Sequence, residues 1–193
     1  MAKPSLKFFP PEPYAERVTR ILSTLSLVFL GLDVNVPVLE GRAMKTSAYM
    51  ALALEQARIA KDRGEVPVGA IIVDPVSGEV LAAAGNRVEQ AHDPTAHAEM
   101  LVIREVSAAQ GASRLYGLDL YVTLEPCSMC AAAIAFARLR RLEFGAYDPK
   151  GGAVDHGPKI FDQPTCHHRP EVVGGVREQE ASVLLKEFFA QKR

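Results

Sequence analysis

The chain predicts a three-layer α/β/α domain with a central mixed sheet, and three observations carry that reading. Apolar runs of strand length alternate with segments of helical spacing. The alternation begins near Met44 and continues to the C-terminus without an internal repeat or a low-complexity tract. The 193 residues, 48% hydrophobic and 23% charged, suffice for one ordinary core.

Residues 1 to 43 are expected to be an extension outside this domain. Arg17 and Arg20 precede ILSTLSLVFLGL, a run too short to span a bilayer that resembles the apolar centre of a signal peptide. The DVNVPVLEG that follows lacks a small-x-small cleavage pattern, and an upstream start codon is the expected origin of the segment. The folded domain is expected over residues 44 to 193.

From Tyr49, the positions Met50, Leu54, Ala57 and Ala60 follow helical spacing up to Gly64, which predicts a first helix. VGAIIVDP and GEVLAAAGN flank a turn rich in Asp-Pro and Ser-Gly chemistry and predict a hairpin. In TAHAEMLVIREVSAAQG a helix is expected, with Thr95 as its N-cap, His97 in its first turn and a glycine at its end. LDLYVTLEP reads as a buried strand, and the alanine-rich CSMCAAAIAFARL behind it as a helix. RLEFGAYD is a further strand before the glycine-rich loop PKGGAVDHG. In the closing helix, Ala181, Leu184, Leu185, Phe188 and Phe189 are expected on one apolar face.

A formal net charge of -1 gives no overall field that would draw in nucleic acid or an anionic membrane, so an RNA partner must depend on local patches. Three cysteines, Cys127, Cys130 and Cys166, do not suit a secreted disulfide framework. They suit a thiol or metal site in a reducing compartment.

Two motifs carry the chemistry: AHAEM, holding His97 and Glu99, and PCSMC, holding Cys127 and Cys130. Each falls where a helix begins, and helix N-termini stabilise thiolates through their unpaired amides and partial positive charge. One nitrogen and two sulfurs suit Zn²⁺, and three protein ligands leave the fourth tetrahedral position to water, the catalytic arrangement. Zinc lowers the pKa of that water to about 7. Glu99 is not needed as a ligand and stands where it can carry a proton from water to the substrate and then to the leaving amine. His-x-Glu followed by Pro-Cys-x-x-Cys is the signature of zinc nucleobase deaminases.

A structural rival remains open at this point. Cys166, in PTCHHRP, is a third thiol that as a fourth ligand would close the site as Cys₃His and make the protein a zinc-stabilised interaction module. Such a site leaves Glu99 unexplained.

The stretches EVPVGAIIV, GNR, HDPTAHAEM, LYVTLEPCSMCAAAI and RRLEFGAYDPKGGA, with FF near a basic C-terminus, resemble the bacterial tRNA-specific adenosine deaminase family. The resemblance runs from about Met44 to the end. It implies a cytidine deaminase-like fold, a homodimer with one zinc per subunit, a cytoplasmic location and no membrane. The implied reaction is hydrolytic conversion of adenosine to inosine at the wobble position of an arginine tRNA. His97, Cys127 and Cys130 are the implied zinc ligands and Glu99 the proton shuttle. Asn86 and the backbone around Ala98 would meet the flipped base, with Asp148 and Lys150 beside the RNA backbone of the anticodon loop. Tyr147 stands where the best-known members carry arginine, and its ring suits stacking on a base.

The alternative is a zinc deaminase of a free base or nucleoside such as guanine or cytosine, because both kinds of enzyme share the ligand motifs. RLRR at 138 to 141 reads either as an RNA patch or as a solvated helix end. His167, His168 and Arg169 read either as an RNA contact or as an exposed loop. Lys192 and Arg193 are within reach of a phosphate on the same reading.

Overall fold

The computed structural model describes residues 43–192, so residues 1 to 42 of the expected N-terminal extension and Arg193 lie outside the described residues. Helix α1, Ala43–Asp62, begins earlier than the expected start at Tyr49. Its stripe of Met50, Leu54, Ala57 and Ala60 is buried, as the spacing predicts. Just past its end the chain turns at Gly64, whose φ of 80° places it in the left-handed region.

Strands β1, Gly69–Val73, and β2, Val80–Gly85, form the expected antiparallel hairpin. At its turn the Asp74 carboxylate accepts the Val76 amide at 2.8 Å. A short helix α2, Val88–Ala91, precedes α3, Ala98–Gln110. Then come β3, Asp119–Leu124, α4, Ser128–Ala137, and β4, Arg141–Ala146. A 3-10 turn, Ile160–Asp162, leads to β5, Glu171–Val173, and α5, Glu178–Gln191.

The sheet order is β2-β1-β3-β4-β5. β1 pairs antiparallel with β2 and β3, whereas the β3–β4 and β4–β5 pairs are parallel, so the sheet is mixed. Successive strand residues point to opposite faces, and both faces are covered. Ile72, Val122 and Phe144 pack against Val102, Ile134 and Leu139 on the α3/α4 side. Ile71, Val73 and Tyr121 pack with Met50, Leu54 and Ala181 on the α1/α5 side. The closest approach is at Gly69, where a Cβ would stand 2.1 Å from the Ala53 carbonyl oxygen; bare backbone lets α1 lie directly on β1.

Two expectations are corrected here. β5 was not expected: it is three residues long, too short to show a strand's alternation. On α5, Ala181 and Phe188 are buried and Leu185 packs beside them, but Phe189 is 50% exposed. One step of a helix turns about 100°, which carries Phe189 off the face that Phe188 occupies.

Candidate metal centre and active site

Both motif helices begin at a ligating residue. His97 is the N-cap of α3 in extended backbone (φ -70, ψ 150), and Cys127 is the N-cap of α4 (φ -71, ψ 173). Thr95 is therefore not the cap of α3, and His97 precedes the first turn rather than lying within it. The cause is local: Asp93 Oδ1 accepts both the amide of Thr95 at 2.8 Å and its hydroxyl at 2.7 Å, which spends Thr95 on a turn. Asn86, at the end of β2, supplies the missing acceptor instead, its Oδ1 taking the Ala98 amide at 2.9 Å.

His97 Nδ1 lies 3.7 Å from Cys127 Sγ and 3.6 Å from Cys130 Sγ. Zinc bonds of about 2.3 Å to sulfur and about 2.0–2.1 Å to nitrogen, at a tetrahedral angle, hold such donors about 3.6 Å apart. The three donor atoms lie within 4.8 Å of one another and, among the described residues, no other His, Cys, Asp or Glu side chain joins them. The residues therefore fit a zinc ion in both donor chemistry and spacing. A thiolate is also prepared: the Cys130 thiol, donating to Cys127, and His97 beside it hold Cys127 down at about 4 against the cost of burial. The same hydrogen bond pushes Cys130 up, and that with Cys127 raises His97.

Glu99 is 3% exposed, and its Oε2 has no hydrogen-bond partner within the protein. Burial pushes its carboxyl up from the ordinary carboxylate range. An unpartnered buried oxygen beside a nitrogen and two sulfurs calls for a ligand that the chain does not supply. A cavity of about 390 Å³ opens there, lined by Asn86, His97, Glu99, Cys127, Asp148 and Gly151 among others. Lys192, from the end of α5, is the sole lysine or arginine on that lining among the described residues.

The structure separates the remaining expected residues. Lys150 is exposed and lies off the lining, while its amide donates to Asp148 Oδ1 at 3.0 Å. Tyr147 stands edge-on to Phe144 at 5.1 Å between ring centroids, and the residue is 38% exposed. Cys166 is outside the metal-binding cluster, its thiol donating to the His168 carbonyl at 3.1 Å. The RLRR guanidiniums are bonded inside the protein: Arg138 to the His167 carbonyl, Arg140 to Asp119, and Arg141 to Glu143 and Glu171.

Sequence reasoning missed two buried carboxylates on the cavity lining, Glu65 and Glu125. Glu65 accepts the amides of Glu89 at 3.2 Å and Gln90 at 2.9 Å, capping α2 from outside. Their only sequence signal was position, Glu125 standing directly before Pro126 and the ligand cysteine.

The model of the cytidine and deoxycytidylate deaminase zinc-binding region matches residues 44–146. The chain belongs to this deaminase family. Within it, a tRNA-specific adenosine deaminase of Agrobacterium fabrum is 57% identical over 145 residues, covering 75% of this chain and 94% of that protein. A solved structure from work on A-to-I editing by tRNA:A34 deaminases at the wobble position of transfer RNA is 56% identical, with a TM-score of 0.70. The likeness covers 72% of this deaminase and 99% of that chain. A guanine deaminase from Nitrosomonas europaea shares the fold at 22% identity and a TM-score of 0.64, over 83% of this chain and 98% of its own. The cytidine deaminase-like fold and the zinc-binding region expected from the sequence are thus present, and the fold alone does not choose the base.

Proposed function

We propose that this chain is a zinc-dependent hydrolase that deaminates adenosine to inosine at the wobble position of an arginine tRNA. One observation carries the reading: the donor triangle of His97, Cys127 and Cys130 stands beside Glu99, whose Oε2 is buried and unpartnered. The 57% identity to a tRNA-specific adenosine deaminase supports adenosine in tRNA over a free base.

His97, Cys127 and Cys130 hold the metal. Bound there, zinc supplies a Lewis acid and a water activated for attack at neutral pH. Glu99 would move two protons in turn: Oε2 takes the first from the incoming water and gives it to the ring nitrogen, then passes the second, from the hydroxyl now on the carbon, to the amine, which departs as ammonia. A carboxyl raised by burial holds a proton nearer to neutral pH than an exposed one, which suits that exchange. Because the Asn86 oxygen is engaged by Ala98, its amide nitrogen is the face left to donate to the base. The Ala98 segment borders the extruded base, and Asp148 and Lys150 follow on the loop beside the RNA backbone. Extrusion brings the amino-bearing carbon out of the stacked loop and into the cavity.

The same family likeness supports a homodimer acting in the cytoplasm. No helix among the described residues is long and apolar enough to cross a membrane. The substrate is tested by offering an arginine-tRNA anticodon stem-loop with adenosine at the wobble position beside free guanine, cytosine and adenosine. Inosine in the stem-loop supports the reading; ammonia from a free base alone overturns the substrate.

A further inference from the structure

Two buried glutamates flank the donor triangle, and they are bonded in opposite ways. Glu99 keeps one oxygen free. Glu125 has none to spare. Its Oε1 accepts the amides of Val154 at 3.1 Å, Asp155 at 2.9 Å and His156 at 2.9 Å. Its Oε2 accepts the Asp148 amide at 3.0 Å and faces His156 Nδ1 at 2.7 Å. The four amides can only donate, and His156 Nδ1 at 2.7 Å completes a set of five close contacts on the two oxygens. With five contacts on two oxygens, Glu125 has no lone pair left for proton transfer to a substrate.

The donors all belong to one segment, residues 147 to 156, which lies outside every helix and strand. Its fold follows the carboxylate. Ala153 donates to the Pro126 carbonyl at 2.9 Å, and Gly152 bridges Cys127. A Cβ at Gly152 would stand 2.4 Å from Glu125 Cδ, so only glycine lets the segment close over the side chain. Asp148 and Gly151 of this segment form part of the cavity lining. Ordering a glycine-rich segment costs conformational entropy, and Glu125 is what four of its amides are ordered around.

We propose that Glu125 is a positioning residue for the nucleic-acid substrate. Its carboxylate folds residues 147 to 156 into the cavity wall that receives RNA, without touching the reacting atoms. The proposal rests on the RNA-deaminase reading above. The donor triangle and Glu99 are held by α3 and α4, so loss of the Glu125 acceptor pair disturbs substrate binding before it disturbs chemistry.

Glu125→Gln tests this in the zinc-loaded full chain, with the wobble-adenosine stem-loop as probe. A glutamine side chain cannot accept at both termini, so at least one group of donors loses its partner. The expected result is a KM raised by about tenfold or more, kcat within about threefold of wild type, and zinc retained. Hydrogen exchange is expected to quicken at the amides of Asp148, Val154, Asp155 and His156. A fall in kcat at unchanged KM, or loss of zinc, overturns the proposal by placing Glu125 in the chemistry or the metal site. Unchanged KM and exchange also overturn it. Gly152→Ala guards against a Glu125→Gln chain that fails to fold, because its Cβ pushes the segment off the intact carboxylate. The same KM-selective loss is expected from it, and a wild-type KM contradicts the proposal. Failure of the RNA reading would show separately, as absence of inosine with the wild-type protein; the role in RNA binding then falls while the exchange data still report the clamp.

Discussion

Asn86 Oδ1 accepts the amide of Ala98 at 2.9 Å, so the residue that follows β2 holds the start of the helix whose N-cap is His97. This hydrogen bond serves two ends, fixing the helix and turning the Asn86 amide nitrogen away from it. The two roles are separable. Asn86→Asp keeps the acceptor and loses the donor, so zinc content and melting temperature are expected to stay near wild type while kcat/KM falls about 10- to 100-fold. Asn86→Ala loses both and is expected to cost about 1 kcal/mol of stability as well. An Asp variant with full activity would remove Asn86 from base recognition.

Cys166 has its own partner, the His168 carbonyl, and His168 Nε2 in turn bonds the Leu139 carbonyl at 2.6 Å. Cys166→Ser is therefore expected to leave zinc at one per chain, whereas Cys130→Ser is expected to lose it, as read by metal analysis after gel filtration. Loss of zinc from Cys166→Ser would restore the closed Cys₃His site.

Glu143 is buried at 1% exposure, with Oε1 on Arg141 Nε at 2.6 Å and Oε2 unpartnered. Burial pushes its carboxyl up, and Arg141 only partly opposes that. A carboxyl raised in the folded state contributes stability below its unfolded value, near 4.5, and loses it as pH rises through the folded value. Glu143→Gln removes that dependence. Arg141 keeps Glu171 at 2.8 Å, so no cation is stranded. In urea unfolding of the zinc-loaded proteins, the variant is expected to match or exceed wild type at pH 7 and to lose its advantage towards pH 5. Lower stability at pH 7 would contradict the sign.

Lys192 sits over the Phe188 ring at 4.7 Å and near the Gly64 carbonyl, at the cavity lining. On the proposed reading, a cation placed there would meet a phosphate of the substrate despite the overall charge of -1. Lys192→Ala is expected to weaken stem-loop binding and to reduce the slope of log K against log salt by about one. An unchanged slope, measured by fluorescence anisotropy, would free Lys192 of that contact.

What the sequence made legible was whatever sits close together along the chain. The ligand residues, the helix starts behind them and the hairpin all depend on neighbours within a few positions. Glu125 was opaque for the opposite reason, since its acceptors' partners lie 23 to 31 residues away and are backbone amides that carry no residue type. Glu65, with partners 24 and 25 residues on, escaped in the same way. Thr95 was misplaced because Asp93 competes for it, a choice between two local acceptors that composition does not decide. The lost role of Cys166 is similar: a third thiol counts as a ligand on paper until distance removes it.

The most direct measurement is inosine at the wobble position of an arginine tRNA transcript, read together with zinc per chain, for wild type and Glu99→Gln. Wild type is expected to form inosine with one zinc bound, and Glu99→Gln to keep its zinc while slowing by about 10²- to 10⁴-fold. A zinc-loaded Glu99→Gln that edits at the wild-type rate, or a wild-type protein that loads zinc and leaves every adenosine untouched, would contradict the assignment of this site.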